Sequence, residues 1–140
     1  MKKSIKVLFT VGILGLVMLL GSCADLFDTV AQATSLYDST FKATVASSGS
    51  NTTIEITFKS ENINGNFQLD VKVGNTSQSN YRWNLDPEDL KGERDVIIYY
   101  NDTPQGHLAP NGVLPTTLTP RSTFNFAQAS VTTNTTFQKQ

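Results

Sequence analysis

From residue 41 onward the chain changes character at every step. Phe41, Ala43 and Val45 alternate with Lys42, Thr44 and Ala46. Ile54, Ile56 and Phe58 alternate with Thr53, Glu55 and Thr57, and Phe67, Leu69, Val71 and Val73 with Gln68, Asp70 and Lys72. A period of two sends successive side chains to opposite faces of a β-strand. These stretches therefore read as three half-buried strands in antiparallel style, one face wet and one dry. The serine-glycine-asparagine run 47–51 breaks the first pattern as a small-residue loop. Asn64-Gly65 marks a turn within a loop of about six residues between the second pair.

Further along, residues 74–80 read as a polar loop, and Tyr81-Arg82-Trp83-Asn84-Leu85 alternates again. In "DPEDLKG", Asp86 is placed to cap one turn of helix, Pro87 suits its first turn and Asp89 stands at N3. Gly92 ends the turn, and Leu90 is expected to tuck inward. Val96 to Tyr100 is apolar on both sides, which suits a central strand or one covered on its second face by an amino-terminal helix. "NDTPQGHLAPNG", with two prolines and two glycines, reads as loop. Residues 113–118 read as an edge strand interrupted by Pro115. Phe124 and Phe126 share one phase, and Val131, Thr133, Thr135 and Phe137 the other, so a bulge or bend is expected near Gln128. The expected fold is mainly β: an antiparallel β-sandwich or partly open barrel of about seven strands, a single domain over 41–140, with a short N-terminal helix.

The first forty residues follow other rules. Lys2, Lys3 and Lys6 form a basic head, and residues 7–21 carry no charge. As a helix that run would span about 22 Å, short of the roughly 30 Å hydrocarbon core. A basic head, an apolar centre and small residues after it make residues 1–22 a secretory signal peptide rather than a span. Leu20, Gly21, Ser22 and Cys23 then resemble the lipobox of bacterial lipoprotein precursors, over residues 1 to about 24 only. The resemblance implies that the Cys23 thiol takes a diacylglycerol, that the leader is cut before it, and that the new amino terminus is acylated, palmitate being the expected label. Two or more chains anchor firmly where one holds weakly. Ala24 stands where an aspartate would resemble the inner-membrane retention signal of enterobacterial lipoproteins, so the resemblance points to the outer membrane of a bacterial cell envelope. Leu26, Val30, Ala33 and Tyr37, with Phe27 and Ala31 beside them, share one helical face. Residues 23–40 are thus a tether or a short docked helix, docking being favoured because an isolated helix this short is marginal. Asp28-Thr29-Val30 and Asp38-Ser39-Thr40 each resemble the short O-glycosylation signal of Bacteroidetes secreted proteins.

With Lys2, Lys3 and Lys6 removed in the leader, eight basic residues face twelve acidic ones, a formal charge of −4. That modest balance, without a Lys/Arg cluster, gives no footprint for nucleic acid and leaves the covalent lipid as the expected link to the membrane. Cys23 is the one cysteine, so no disulfide staples the domain and packing must hold it. His107 is the one imidazole; flanked by Gly106 and Leu108, it reads as a surface loop histidine without the partners that catalysis or a metal requires. Asp86, Glu88, Asp89, Glu93 and Asp95 are close enough in sequence to hold a hard cation, but they lack the spacing of a calcium loop and read as helix capping and solvated charge. No metal, cofactor or catalytic residue is expected. Tyr81, Trp83 and Tyr99 are the candidate ligand-binding residues, since aromatic rings with polar handles suit glycan or peptide; Tyr81 and Trp83 share a strand face and are expected to be largely core. Two functions follow: a lipid-anchored binding module for an envelope protein or glycan, or a structural subunit of an envelope assembly that works by strand addition. A small carboxylate-dependent hydrolase ranks third.

Overall fold

A computed structural model describes residues 28–47, 49–87 and 93–140. The leader, Cys23, Leu26, Phe27, Glu88, Asp89, Leu90 and Gly92 lie outside the described residues. Helix α1 is described over 28–36. The strands are β1 (Thr40–Ser47), β2 (Ser50–Ile63), β3 (Asn66–Val73), β4 (Thr76–Gln78), β5 (Tyr81–Leu85) and β6 (Val96–Tyr100). They continue as β7 (Thr103–Pro110), β8 (Thr117–Pro120), β9 (Phe124–Phe126), β10 (Ala129–Val131) and β11 (Phe137–Lys139).

Each barrel strand pairs antiparallel with the next along the chain: β1 with β2, β2 with β3, β3 with β5, then β5 through β8 in order. β8 pairs with β11, and β11 returns to β1 through Phe41 opposite Lys139. The sheet is therefore a closed eight-stranded up-and-down barrel with β4 as an extra strand, not a sandwich or a partly open barrel of seven strands. β4 and β5 lie end to end along the edge of β3 that faces away from β2. The register slips by one residue between them, at Ser79-Asn80, where Asn80 has φ 67°. The closing contact joins opposite ends of the domain, and alternation within each strand carries no sign of it.

The three leading strands keep the alternation read from them. Phe41, Ala43, Val45, Ile54, Ile56, Phe58, Leu69 and Val71 are buried, with Phe67 and Val73 partly so. The connections are tighter than expected. Ile63 pairs with Asn66, so only Asn64 and Gly65 form the turn, both at positive φ (54° and 91°) as a type I′ hairpin requires. Ser47 pairs with Ser50 in the same way, and the stretch read as a polar loop contains β4.

The largest correction concerns "NDTPQGHLAPNG", which is β7 rather than loop. Asn101 and Asp102 make a two-residue turn at φ 48° and 59°, and Tyr100 pairs with Thr103. Pro104 falls where the register shifts, leaving Gln105 without a partner on β6. Proline is tolerated at such a bulge. Gly106 shares the inward phase of Leu108, and a Cβ there would run into the Phe124 ring; the glycine makes room for a ring instead of breaking a strand. The expected strand over 113–118 is displaced to β8. Residues 111–116 form a loop held by Asn111, whose Oδ1 accepts from Thr116 N and Thr117 N at 2.9 and 3.0 Å. The expected bend near Gln128 is the turn of a separate hairpin, β9–β10, with Ala127 at φ 52°.

Both ends of the barrel are closed. At one, Gln32 and Leu36 of α1 are fully buried and Tyr37 meets Phe67 and Trp83, with ring centroids 5.6 and 6.0 Å away. Val30, assigned from the sequence to the inward face, is 56% exposed. The helix is seated about 32, 33, 36 and 37 instead, because Gln32 takes the backbone of Arg94: its Nε2 donates to Arg94 O at 2.5 Å and its Oε1 accepts from Arg94 N at 2.8 Å. At the other end the hairpin lays Phe126 against Tyr81 (5.6 Å) and Phe137 (5.9 Å), and Ala127 N donates to Tyr81 Oη at 2.8 Å. Eight strands enclose a space that side chains can fill. Here Trp83, Phe41, Phe58, Phe126 and Phe137 fill it.

Candidate functional site

Alternation puts the outward residues of three neighbouring strands side by side. Arg82 of β5 stands opposite Tyr99 of β6; Asn84 stands opposite Ile97, which in turn faces His107 of β7. Two carboxylates lie where β5 ends and β6 begins, tied together by Asp86 N donating to Asp95 O at 2.8 Å. Asp86 Oδ2 is 3.5 Å from His107 Nδ1. Asp95 receives Arg121 in a two-pronged contact, at 2.8 and 2.9 Å. Arg94 donates from Nη1 to Asp86 O at 3.2 Å, so its guanidinium is fixed over the same corner.

Beside this corner α1, β3, β5 and β6 frame a cleft of about 380 Å³. Ala33, Phe67, Leu85 and Pro87 supply apolar wall; Tyr99, Asn84, Arg94 and Thr29 supply polar atoms. Burial, and next the charge of Asp86, push the Tyr99 hydroxyl above the usual tyrosine range. At neutral pH it is a neutral donor lining the same cleft as Arg94. The arrangement suits a ligand with an apolar or ring face and several hydroxyl or carbonyl oxygens.

The three aromatic candidates are split by the fold. Trp83 is fully buried, with its Nε1 donating to Lys59 O at 3.1 Å, and Tyr81 is 3% exposed. Tyr99 alone of the three lines the cleft. Tyr100, on the opposite phase, packs on Tyr81 at 4.9 Å and stays 40% exposed. Within the acidic cluster Asp86 faces His107, Asp95 faces Arg121 and Glu93 is exposed. Among the described residues no three potential metal ligands converge. His107 sits on a strand rather than in the loop expected for it, half-exposed and against a carboxylate.

Arg94, Asn84 and Thr29 were not legible as site residues. Thr29 lies on α1, Asn84 on β5 and Arg94 in the segment before β6, and only the docking of α1 brings them together. Compared with known proteins, the chain matches no family model, no curated protein and no solved structure.

Proposed function

We propose that the chain is a lipid-anchored binding module of the bacterial envelope, held at an outer membrane through Cys23 and engaging a protein or glycan with the outside of its barrel. The supporting observation is the filled interior. Five large aromatic side chains leave no exposed surface and both ends are closed, so recognition falls to the outer surface. The Tyr99 cleft is the best-equipped part of it, combining a ring, a fixed guanidinium and an amide. The strand-donating alternative has less support, because the carboxy-terminal segment is used at home: β11 pairs with both β8 and β1, and Gln140 N donates to Thr40 O at 2.9 Å.

The test is crosslinking capture from intact envelopes with the anchor in place. The wild-type chain should retain a specific partner that Tyr99→Ala loses about tenfold or more while melting at the same temperature. Equal capture by a folded Tyr99→Ala chain would remove the cleft from the proposal. Separately, Cys23→Ser should abolish radiolabelled palmitate and leave an uncut precursor; an unlabelled wild-type chain would overturn the anchor.

A further inference from the structure

Exposed apolar side chains gather at one end of the barrel. Among the described residues the large ones are Val30, Tyr100 and Leu114, exposed by 56, 40 and 70%. Tyr100 has a ring partner in Tyr81, 4.9 Å away. Val30 and Leu114 both belong to the end that α1 caps. Val30 is on the helix itself, and Leu114 stands in the β7–β8 loop, which α1 touches where Ser35 Oγ donates to Val113 O at 3.4 Å. The loop is braced from within. Asn111 Oδ1 accepts from the amides of Thr116 and Thr117, its Nδ2 donates to Thr116 Oγ1 at 2.9 Å, and Pro115 is buried. Leu114 is thus held out to solvent by a fixed loop.

Charge is arranged around these residues rather than among them. Residues 111–116 carry no charge, and neither do Val30, Ala31 and Thr34 of α1. Asp28 stands at the first described residue of the helix and Asp38 just past its last, with Lys59 Nζ 3.8 Å from Asp38. Glu93 is exposed beside the Arg94 clamp, and Lys139 adds one amine at Ser35 O. An apolar centre with mainly acidic neighbours suits a surface of zwitterionic headgroups, since attraction to anionic lipid needs clustered Lys and Arg.

The chain leading to α1 indicates what covers this end. Cys23 precedes Asp28 by five residues, which span at most about 18 Å at full extension. With acyl chains on Cys23, the start of α1 can stand no farther than that from the bilayer. We infer that the α1 end of the barrel lies against the membrane, with Leu114 and Val30 entering the headgroup region of a zwitterionic bilayer as a second, non-covalent contact. The inference rests on the proposed acylation of Cys23. A second copy of the chain fits this end less well, because two such caps would bring their carboxylates together.

The experiment uses the full acylated chain in phosphatidylcholine vesicles that contain a lipid with a doxyl quencher just below the headgroup. Cys23 is the one natural cysteine and its lipid blocks it, so a bimane can be attached at a single introduced thiol. One label goes at Thr34→Cys, exposed on α1; the other goes at Thr133→Cys, exposed in the segment that enters β11 from the far end. Flotation with the vesicles reports the anchor, and quenching reports the docking. The Thr34 label should be quenched about threefold or more beyond the Thr133 label, and anionic phosphatidylglycerol should not increase this. The pair Val30→Ser and Leu114→Ser should still float, melt at the wild-type temperature and quench both labels alike. If that pair does not fold, Leu114→Ser alone decides, and it should lose about half of the difference or more. Equal quenching of the two labels in a floating wild-type chain would overturn the inference and leave the anchor standing. Wild-type quenching in the folded variants would assign the effect to the tether and overturn it too. So would self-association in detergent that the variants lose, since that would give the face to a second copy. An unacylated wild-type chain that stays off the vesicles would overturn the anchor and the inference together.

Discussion

Trp83 and His107 occupy strands separated only by β6, yet they mark opposite ends of what one side chain contributes here. Trp83 touches Phe58 and Phe67 with ring centroids at 5.2 and 4.9 Å and satisfies the Lys59 carbonyl. Trp83→Ala should therefore destabilise the domain by about 3–5 kcal/mol, the range for truncating a fully buried large aromatic, and it also strands a carbonyl. His107 is half-exposed and its contact with Asp86 is open to solvent, so His107→Ala should stay within about 0.5 kcal/mol. Urea melts of the two variants check both. The inward course of Trp83 was legible because period-two alternation needs only its immediate neighbours. Tyr81 shares that face and carries a pH signature. Burial raises its hydroxyl above the ordinary tyrosine range, the Ala127 amide opposes this, and Tyr100 adds to it. The folded chain then resists ionisation while the unfolded chain ionises near pH 10, so above that pH the unfolded state holds fewer protons and stability falls. Urea midpoints should be level from pH 8 to about pH 9.5 and drop beyond. Tyr81→Phe should drop less steeply; an unchanged slope would place the effect elsewhere.

At the scale of the element, α1 shows how one polar residue can defeat a helical pattern. Counting apolar residues placed Val30 inward and gave Gln32 no role, but Gln32 is the fully buried one. A buried amide is favourable only where both its ends are satisfied, and the backbone N–H and C=O of Arg94 do that. The partner lies far along the chain, so no local reading of the helix contains it. Gln32→Ala should cost about 2–3 kcal/mol through two unsatisfied backbone groups, and Val30→Ala should remain within about 0.5 kcal/mol. If the two variants melt alike, the clamp does not seat the helix. β7 fails in the same way for a different reason. Its prolines and glycines are turn formers in isolation, but Pro104 meets a bulge and Gly106 meets the Phe124 ring, both features of neighbouring elements. The strands with uninterrupted alternation were legible; those whose irregular residues answer to a distant partner were not.

For the whole molecule, the decisive fact is closure, which rests on the last strand. β11 is three residues long and closes the circle between β8 and β1. Phe137 is fully buried beside Phe126; Lys139 N donates to Thr116 O at 2.9 Å, and its Nζ reaches Ser35 O at 3.1 Å. A single closed sheet without disulfides has few ways to compensate for a missing stave, and stability of only 5–15 kcal/mol is typical of such domains. Deleting residues 137–140 should thus do more than remove one aromatic. It exposes the edges of β1 and β8 together, and unpaired edges recruit other chains. The expected outcome is loss of the cooperative urea transition together with association visible in light scattering. Lys139→Ala is the control: it removes an exposed amine and leaves the strand, so it should keep a monomeric barrel within about 1 kcal/mol of wild type. A truncated chain that stayed monomeric and melted at the wild-type midpoint would show that the β2–β3 and β7–β8 ladders hold the barrel shut without it.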